Sequence, residues 1–146
     1  MAIAQNTFNQ PKSYHGIDVS GEMIAEASKK YGKEPFTHGN FLDPSRSFEY
    51  DVVIGAGPFN YRVEPDDAAQ FEYLKTAITK MFASCKVACA FTLLSQYGYE
   101  VAKKWDVLAC YEPWDVLKFC MSLTSAVVVD HASLPAEFAV FMYHDQ

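Results

Sequence analysis

Three short segments place polar or glycine residues where a β-strand is expected to end. Asp18 lies at the end of a short β-prone run that begins at Tyr14, and Gly39-Asn40-Phe41 follows a second short apolar segment. Gly55-Ala56-Gly57 follows the continuous apolar run Tyr50–Ile54. A carboxylate at a strand end can accept hydrogen bonds from both hydroxyls of a ribose. An amide can read the edge of adenine, an aromatic ring can cover its face, and glycines let the backbone approach a ligand. Together these residues favour recognition of a nucleoside.

Each of these signals also has a structural explanation. An aspartate at a strand end often only faces solvent or caps a helix, and Asn40 and Phe41 taken alone are typical of a loop amide and a core ring. The segment from Gly55 to Asn60 resembles a phosphate-binding glycine loop, but Asn60 stands where the third glycine is required. The expected strand ending in an acid about 20 residues later is also missing. We interpret this segment as a turn around which a ligand can fold.

No nucleophile with an activating base is evident in the sequence. Ser95 has no obvious histidine neighbour and lies outside any Gly-x-Ser-x-Gly motif. The cysteines lie in apolar segments without a Cys-x-x-Cys pair, and the histidines lack zinc-finger spacing, so we predict reduced core thiols and no metal site. The scattered histidines are interpreted as surface or strand-edge residues: His15, His38, His131 and His144. The catalytic residues stay unassigned.

Local patterns predict the elements that position these segments. Ser20 offers an N-cap hydroxyl, and apolar residues at three- and four-residue steps from Met23 to Tyr31 indicate a helix that stops at Gly32. Helices are also expected from Pro65 to Phe82 and from Pro113, with an ambiguous stretch at Tyr97–Trp105 that could form a short helix. The predicted buried strands are 50–54 and 87–94, followed by a terminal pair at 126–129 and 137–143. The link within this pair is too short for a parallel crossover, so the two strands must be antiparallel.

The overall composition is typical of one globular domain. The chain has 146 residues, of which half are apolar and 15% aromatic, and it carries a net charge of −6. We therefore expect a single domain over residues 1–146. No apolar run is long enough to span a bilayer and the start of the chain does not resemble a secretory signal, so we predict a cytoplasmic protein. The acidic balance argues against nucleic acid or an anionic membrane as partner.

Taken in order, these segments resemble the class I S-adenosylmethionine-dependent methyltransferases. The resemblance rests on the order and spacing of Gly16-Ile17-Asp18-Val19-Ser20-x-x-Met23-Ile24, of Gly39–Asp43 and of Tyr50–Gly55. The strand ending at Thr92–Ser95 is similar to the family's fifth strand, and the terminal pair is similar to its sixth and seventh. The resemblance implies an α/β, Rossmann-like fold: a mostly parallel sheet with helices on both faces and a C-terminal antiparallel strand pair.

The same resemblance implies a binding site for S-adenosylmethionine. Asp18 corresponds to the acid that binds the ribose hydroxyls, while Asn40 stands where family members often have an acid near the adenine. The other implied cofactor-binding residues are Val19, Met23, Phe41 and Gly55, and the candidates for contact with the methyl acceptor are Phe59, Asn60 and Tyr61. The aromatic residues after the strand at 50–54 and the acidic surface favour a small-molecule acceptor.

One part of the family pattern is not found. Its first strand and glycine-rich loop are expected before Tyr14, but residues 1–13 contain no glycine. Residues Ala2–Phe8 are the candidate for a short replacement strand in this N-terminal extension. We therefore expect a truncated or degenerate methyltransferase-like protein, lacking the first strand–helix unit and impaired in cofactor binding.

Three alternatives stay open. A homo-oligomer could cover the exposed sheet region and supply the missing wall of the site. A non-enzymatic scaffold or interaction module could use the exposed sheet edge for docking. A nicotinamide-nucleotide-binding protein is less favoured, because the glycine fingerprint is absent and the terminal strands do not match that fold.

Overall fold

A computed structural model describes residues 13–33, 35–98, 106–133 and 136–144. The chain divides into two compact units, Met1–Arg46 and Ser47–Gln146, called the first and the second unit below. The candidate strand Ala2–Phe8 and most of the candidate helix Tyr97–Trp105 lie outside the described residues. The single domain expected over the whole chain stays a prediction.

The first unit is a β–α–β element with two parallel strands. Strand β1 (Gly16–Asp18) pairs with β2 (Phe36–His38), and α1 (Gly21–Tyr31) connects them. The Ser20 side chain accepts a hydrogen bond from the backbone N–H of Met23, so the predicted N-cap is confirmed. Gly32 ends the helix with a φ of 92°, a conformation that glycine adopts without steric cost.

The second unit contains a four-stranded sheet and two helices. Its elements are β3 (Tyr50–Ala56), α2 (Asp67–Ala83), β4 (Cys85–Leu94), α3 (Pro113–Met121), β5 (Val127–Asp130) and β6 (Glu137–Tyr143). The strand order is β3-β4-β6-β5; β3 and β4 are parallel, and β6 is antiparallel to both of its neighbours. The antiparallel terminal pair is therefore confirmed.

The core of the second unit lies on one face of this sheet. Alternate residues of β4 and β6 are buried, among them Phe91, Leu93 and Phe138, and α2 and α3 contribute buried residues such as Leu74 and Val116. The opposite face is apolar as well but partly exposed. Strand alternation places Val52, Ile54 and Val128 there, with Ala90 of β4.

Helix α2 begins two residues later than the sequence predicts. Asp66 has an extended backbone and its carboxylate accepts from the N–H of Ala69, so Asp66 is the N-cap and Asp67 the first helical residue. Pro65 therefore precedes the cap rather than forming the first turn. In α3 the proline does lie in the first turn, as predicted, with Glu112 as the cap.

The structure confirms the α/β class and adds one difference in sheet organisation. Among the described residues, β1 pairs with β2 alone and β3 pairs with β4 alone, so the six strands form two separate sheets. None of the helices in the described ranges combines the length and apolar character needed to cross a membrane.

All four cysteines lie within the described residues, and none of them forms a disulfide. Cys85, Cys89 and Cys120 are buried as predicted, while Cys110 is half-buried. Burial raises the pKa of the Cys89 thiol well above its ordinary value and that of Cys120 to about 12. These thiols are therefore protonated at neutral pH and act as small apolar residues.

Candidate functional site

In the first unit, the carboxyl ends of β1 and β2 lie side by side. The backbone N–H of Gly39 donates to the carbonyl of Asp18 over 2.9 Å, which joins the two strand ends. One carboxylate oxygen of Asp18 accepts from the N–H of Ser20 at 2.7 Å, and the residue is exposed. This contact spans two residues and forms an Asx-type turn before Ser20, which is itself the N-cap of α1. It occupies only one of the two carboxylate oxygens, so the other can accept hydrogen bonds from a ribose.

Two apolar side chains follow Asp18 on the surface. Val19 is 67% exposed and Met23 is 62% exposed, although both are large apolar residues. Val19 precedes the N-cap of α1 and Met23 lies in its first turn, so both belong to the same end of the helix. Exposed apolar side chains beside a carboxylate can contact the face of a nucleobase while the carboxylate binds the ribose.

The turn after β2 fixes the backbone around Asn40. The Asn40 side-chain oxygen accepts from the N–H of Leu42 at 2.8 Å, an Asx-type turn that directs the amide group locally. Asn40 is exposed and Phe41 is half-buried. A contribution from His38 was not expected: its Nε2 lies 2.9 Å from the carbonyl oxygen of Val19 and so links β2 to the segment after β1.

In the second unit, Gly55 lies where core side chains pack closely against the backbone. It is buried, and a Cβ at this position would lie 3.2 Å from both the Met81 methyl group and the Phe59 ring. Gly57 has a φ of 80°, which a residue with a side chain rarely adopts. The two glycines therefore have separate roles: Gly55 accommodates packing and Gly57 makes the turn. That Gly55 also borders a cofactor stays a prediction.

The three residues expected to contact an acceptor differ in exposure. Phe59 and Asn60 are 6% and 8% exposed, whereas Tyr61 is 63% exposed. The Asn60 side chain accepts from the N–H of Leu94 at 2.9 Å and thereby ties the turn to the end of β4. In this structure Phe59 and Asn60 support the turn, and Tyr61 is the residue available for contact with a ligand.

A buried pair that no sequence pattern predicts holds this turn in place. Gln70 accepts from the backbone N–H groups of Val63 and Glu64 at 3.0 and 3.1 Å, and donates to the Tyr111 hydroxyl at 2.9 Å. The Tyr111 hydroxyl donates to the carbonyl of Phe59, also over 2.9 Å. Burial raises the pKa of Tyr111. Because Gln70 and Tyr111 are 41 positions apart, no local pattern indicates the contact.

Ser95 does have a histidine neighbour, contrary to the sequence-based expectation. His131 Nε2 lies 2.7 Å from Ser95 Oγ, and the same hydroxyl accepts from the N–H of Tyr97 at 3.1 Å. Antiparallel pairing of β5 and β6 brings position 131 to the end of β4, 36 residues away in sequence. Ser95 is 1% exposed, so the pair joins two loops and does not present a nucleophile to solvent.

The described residues contain no group of three or more His, Cys, Asp or Glu side chains placed to hold a metal ion. The predicted cofactor and acceptor residues instead fall into two groups. Asp18, Val19, Met23, Asn40 and Phe41 belong to the first unit, and Gly55, Phe59, Asn60 and Tyr61 belong to the second.

No protein-family model and no curated protein matches the chain. Solved structures do match it. Magnesium protoporphyrin IX methyltransferase from Synechocystis PCC 6803 with bound S-adenosylhomocysteine is 15% identical with a TM-score of 0.66, and the match covers 91% of this chain and 64% of that one. The N-methyltransferase NodS from Bradyrhizobium japonicum WM9 is 17% identical with a TM-score of 0.60, over 92% of this chain and 68% of that one.

A third match is an S-adenosylmethionine-dependent methyltransferase from Clostridium acetobutylicum ATCC 824, 13% identical with a TM-score of 0.58, over 92% of this chain and 76% of that one. The chain spans 60 and 64% of the length of two structures of the Synechocystis enzyme. At sequence identities this low, the similarity to these structures is a similarity of fold. The chain has the Rossmann-like fold of class I S-adenosylmethionine-dependent methyltransferases.

Proposed function

We propose that this protein binds S-adenosylmethionine or its product S-adenosylhomocysteine through the first unit, as a methyltransferase-like protein with a partial cofactor site. The observation that carries the proposal is the exposed Asp18 carboxylate at the end of β1, beside the end of the parallel strand β2, with Val19 and Met23 also exposed. The ligand class comes from the fold, since the matched methyltransferases include structures with bound S-adenosylmethionine and S-adenosylhomocysteine. The first-unit residues fit the adenosine half of such a ligand.

We assign the roles within this site from the family resemblance and from the exposure of these side chains. Asp18 binds the ribose hydroxyls, Val19 and Met23 pack against the adenine, and Asn40 with Phe41 flanks it. When bound, S-adenosylmethionine supplies an activated methyl group, and an acceptor has only to be positioned in line with its sulfonium. Gly55 at the methionine part and Tyr61 at the acceptor remain proposals for the second unit.

The test is calorimetric titration of the 146-residue chain with S-adenosylhomocysteine. In Asp18→Asn the side chain can still accept from Ser20 but loses its charge, so we expect affinity to fall roughly tenfold or more. Glu72→Gln makes the same change in net charge on the exposed surface of α2 in the second unit, where Glu72 pairs with Lys75, and is expected to bind like the wild type. Absence of binding by the wild type at millimolar ligand would contradict the proposal.

The acceptor, the localisation and the assembly belong to the same proposal. We propose a small-molecule acceptor, a cytoplasmic location and a homo-oligomer that covers exposed sheet surface. A non-enzymatic scaffold on the same fold is the second candidate, supported by the exposed apolar face of the second unit's sheet. Titration with NAD⁺ separates both from a nicotinamide-nucleotide binder, for which NAD⁺ would bind more tightly than S-adenosylhomocysteine.

A further inference from the structure

Strand β3 has one free edge within the described residues. It pairs with β4 alone, and the N–H of Tyr50 donates to the carbonyl of Ser84 just before β4 over 2.9 Å. The register of this pair shifts between Tyr50 and Val52, where the extra residue lies on β4, so the alternation along β3 itself is unbroken. Every second residue from Tyr50 therefore directs its N–H and C=O toward β4. The residues between them, Asp51, Val53 and Gly55, direct theirs to the free edge.

This edge lacks the features by which proteins prevent strand pairing. The seven residues Tyr50–Ala56 contain no proline and no lysine, and their only charged side chain is Asp51. Val52 and Ile54 are 51% and 74% exposed along the strand. A strand of this length with an uncharged, exposed apolar face is a template for pairing with another strand.

The strand is complementary to a second copy of itself. An antiparallel pair with a two-fold axis at Val53 uses all seven residues of both copies. It places the backbone groups of Val53 opposite those of the other Val53, and Asp51 opposite Gly55, all of which face the free edge. On the exposed face, Val52 then lies beside Ile54 of the other copy, a favourable apolar cross-strand contact.

Charge favours the same arrangement. With a net charge of −6, two copies repel each other over much of their surface, and they approach best where a surface strip carries little charge. In the register centred on Val53, each Asp51 carboxylate faces a glycine and not the other carboxylate. We propose that two copies of this chain form a dimer by antiparallel pairing of their β3 edges about Val53.

Sedimentation velocity over a range of protein concentrations tests the dimer. We expect the wild type to form a dimer and Ile54→Lys to remain monomeric, because the lysines would be placed against an apolar partner strand. Val128→Lys is the matched control, since Val128 is a 53% exposed valine on the same face but on β5, at the other edge of the sheet. It should dimerise like the wild type. A monomeric wild type, or an oligomer that Ile54→Lys leaves intact, would overturn the proposal.

A second variant separates loss of pairing from loss of folding. Asp51→Pro removes an N–H that faces the free edge and an exposed side chain, a substitution that edge strands tolerate. We expect a monomer with an unchanged far-ultraviolet circular dichroism spectrum. Hydrogen exchange of the Val53 and Gly55 amides should be slow in the dimer and fast in this variant. Slow exchange of these amides in a monomeric wild type would show that another part of the chain covers the edge, which also rejects the dimer.

Discussion

The Tyr111 hydroxyl is one of the buried polar groups that hold the turn after β3. It is buried, donates to the Phe59 carbonyl and accepts from Gln70, each over 2.9 Å. A buried carbonyl without a hydrogen-bond donor lowers the free energy of unfolding, so removal of this one hydroxyl is expected to destabilise the protein. The burial that makes it important also keeps it protonated, since burial raises its pKa above the ordinary value of 10.0.

Tyr111→Phe is expected to destabilise the protein in a pH-dependent way. At neutral pH the loss is about 1–3 kcal/mol, because the Phe59 carbonyl and the Gln70 amide lose a buried partner. A raised pKa in the folded state means that the tyrosine's contribution is complete below pH 10.0, the ordinary value, and is lost as the pH rises toward the folded-state pKa. The difference in unfolding free energy between wild type and variant should therefore shrink above that pH.

Urea denaturation at neutral and alkaline pH measures this difference. Tyr61→Phe serves as the control, because the Tyr61 side chain is exposed, and its stability should match that of the wild type. A difference for Tyr111→Phe that stays constant across this pH range would show that the hydroxyl does not titrate differently in the folded and unfolded chains.

At the scale of the element, helix α2 depends on its N-cap. Asp66 accepts from the N–H of Ala69 at 2.8 Å, while the adjacent Asp67 pairs at the surface with Arg62 at 2.6 Å. The two neighbouring aspartates therefore make different kinds of contact. The cap satisfies a backbone donor that the helix leaves unpaired, whereas the ion pair joins a half-buried Arg62 to an exposed Asp67 that is accessible to solvent and salt.

We expect Asp66→Ala to lower the unfolding free energy by about 1 kcal/mol, and Asp66→Asn to restore most of the loss because asparagine also caps helices. Asp67→Ala should cost less, about 0–1 kcal/mol, and its effect should decrease at high salt. Chemical denaturation with and without salt distinguishes them. An equal cost for both alanine variants would be inconsistent with a capping role specific to Asp66.

At the scale of the molecule, the two units differ in how much they bury. Helix α1 of the first unit has no buried residue, whereas the second unit has fully buried side chains on α2, β4, α3 and β6. Burial of apolar surface is the main source of stability, so the second unit holds most of the packing that resists unfolding.

Native-state hydrogen exchange is therefore expected to be faster in the first unit. Amides of α1 should exchange through local opening, with much lower protection than those of β4 and β6, which lie in the interior of the four-stranded sheet. Saturating S-adenosylhomocysteine should raise protection around Asp18 and α1, because a ligand that binds only the folded form stabilises it. Equal protection of α1 and β4 in the free protein would contradict this expectation.

Much of the fold could be read from local sequence. Ser20 and Gly32 bound α1 as expected, and the continuous apolar runs became β3 and β4, because caps and hydrophobic periodicity act over a few residues. The short link before Glu137 required an antiparallel pair for the same reason. The segments around Asp18, Asn40 and Gly55 likewise indicated, in their order, the fold that the matched structures share.

Contacts between distant positions could not be read in this way. Gln70 with Tyr111 and Ser95 with His131 meet only after the strands adopt the order β3-β4-β6-β5, and no residue spacing encodes that order. The same packing buries Asn60 and leaves Tyr61 exposed, although the two are adjacent in the chain. Sequence patterns indicate helix or strand propensity over a few residues. Burial and strand pairing depend instead on which surfaces the folded chain brings together.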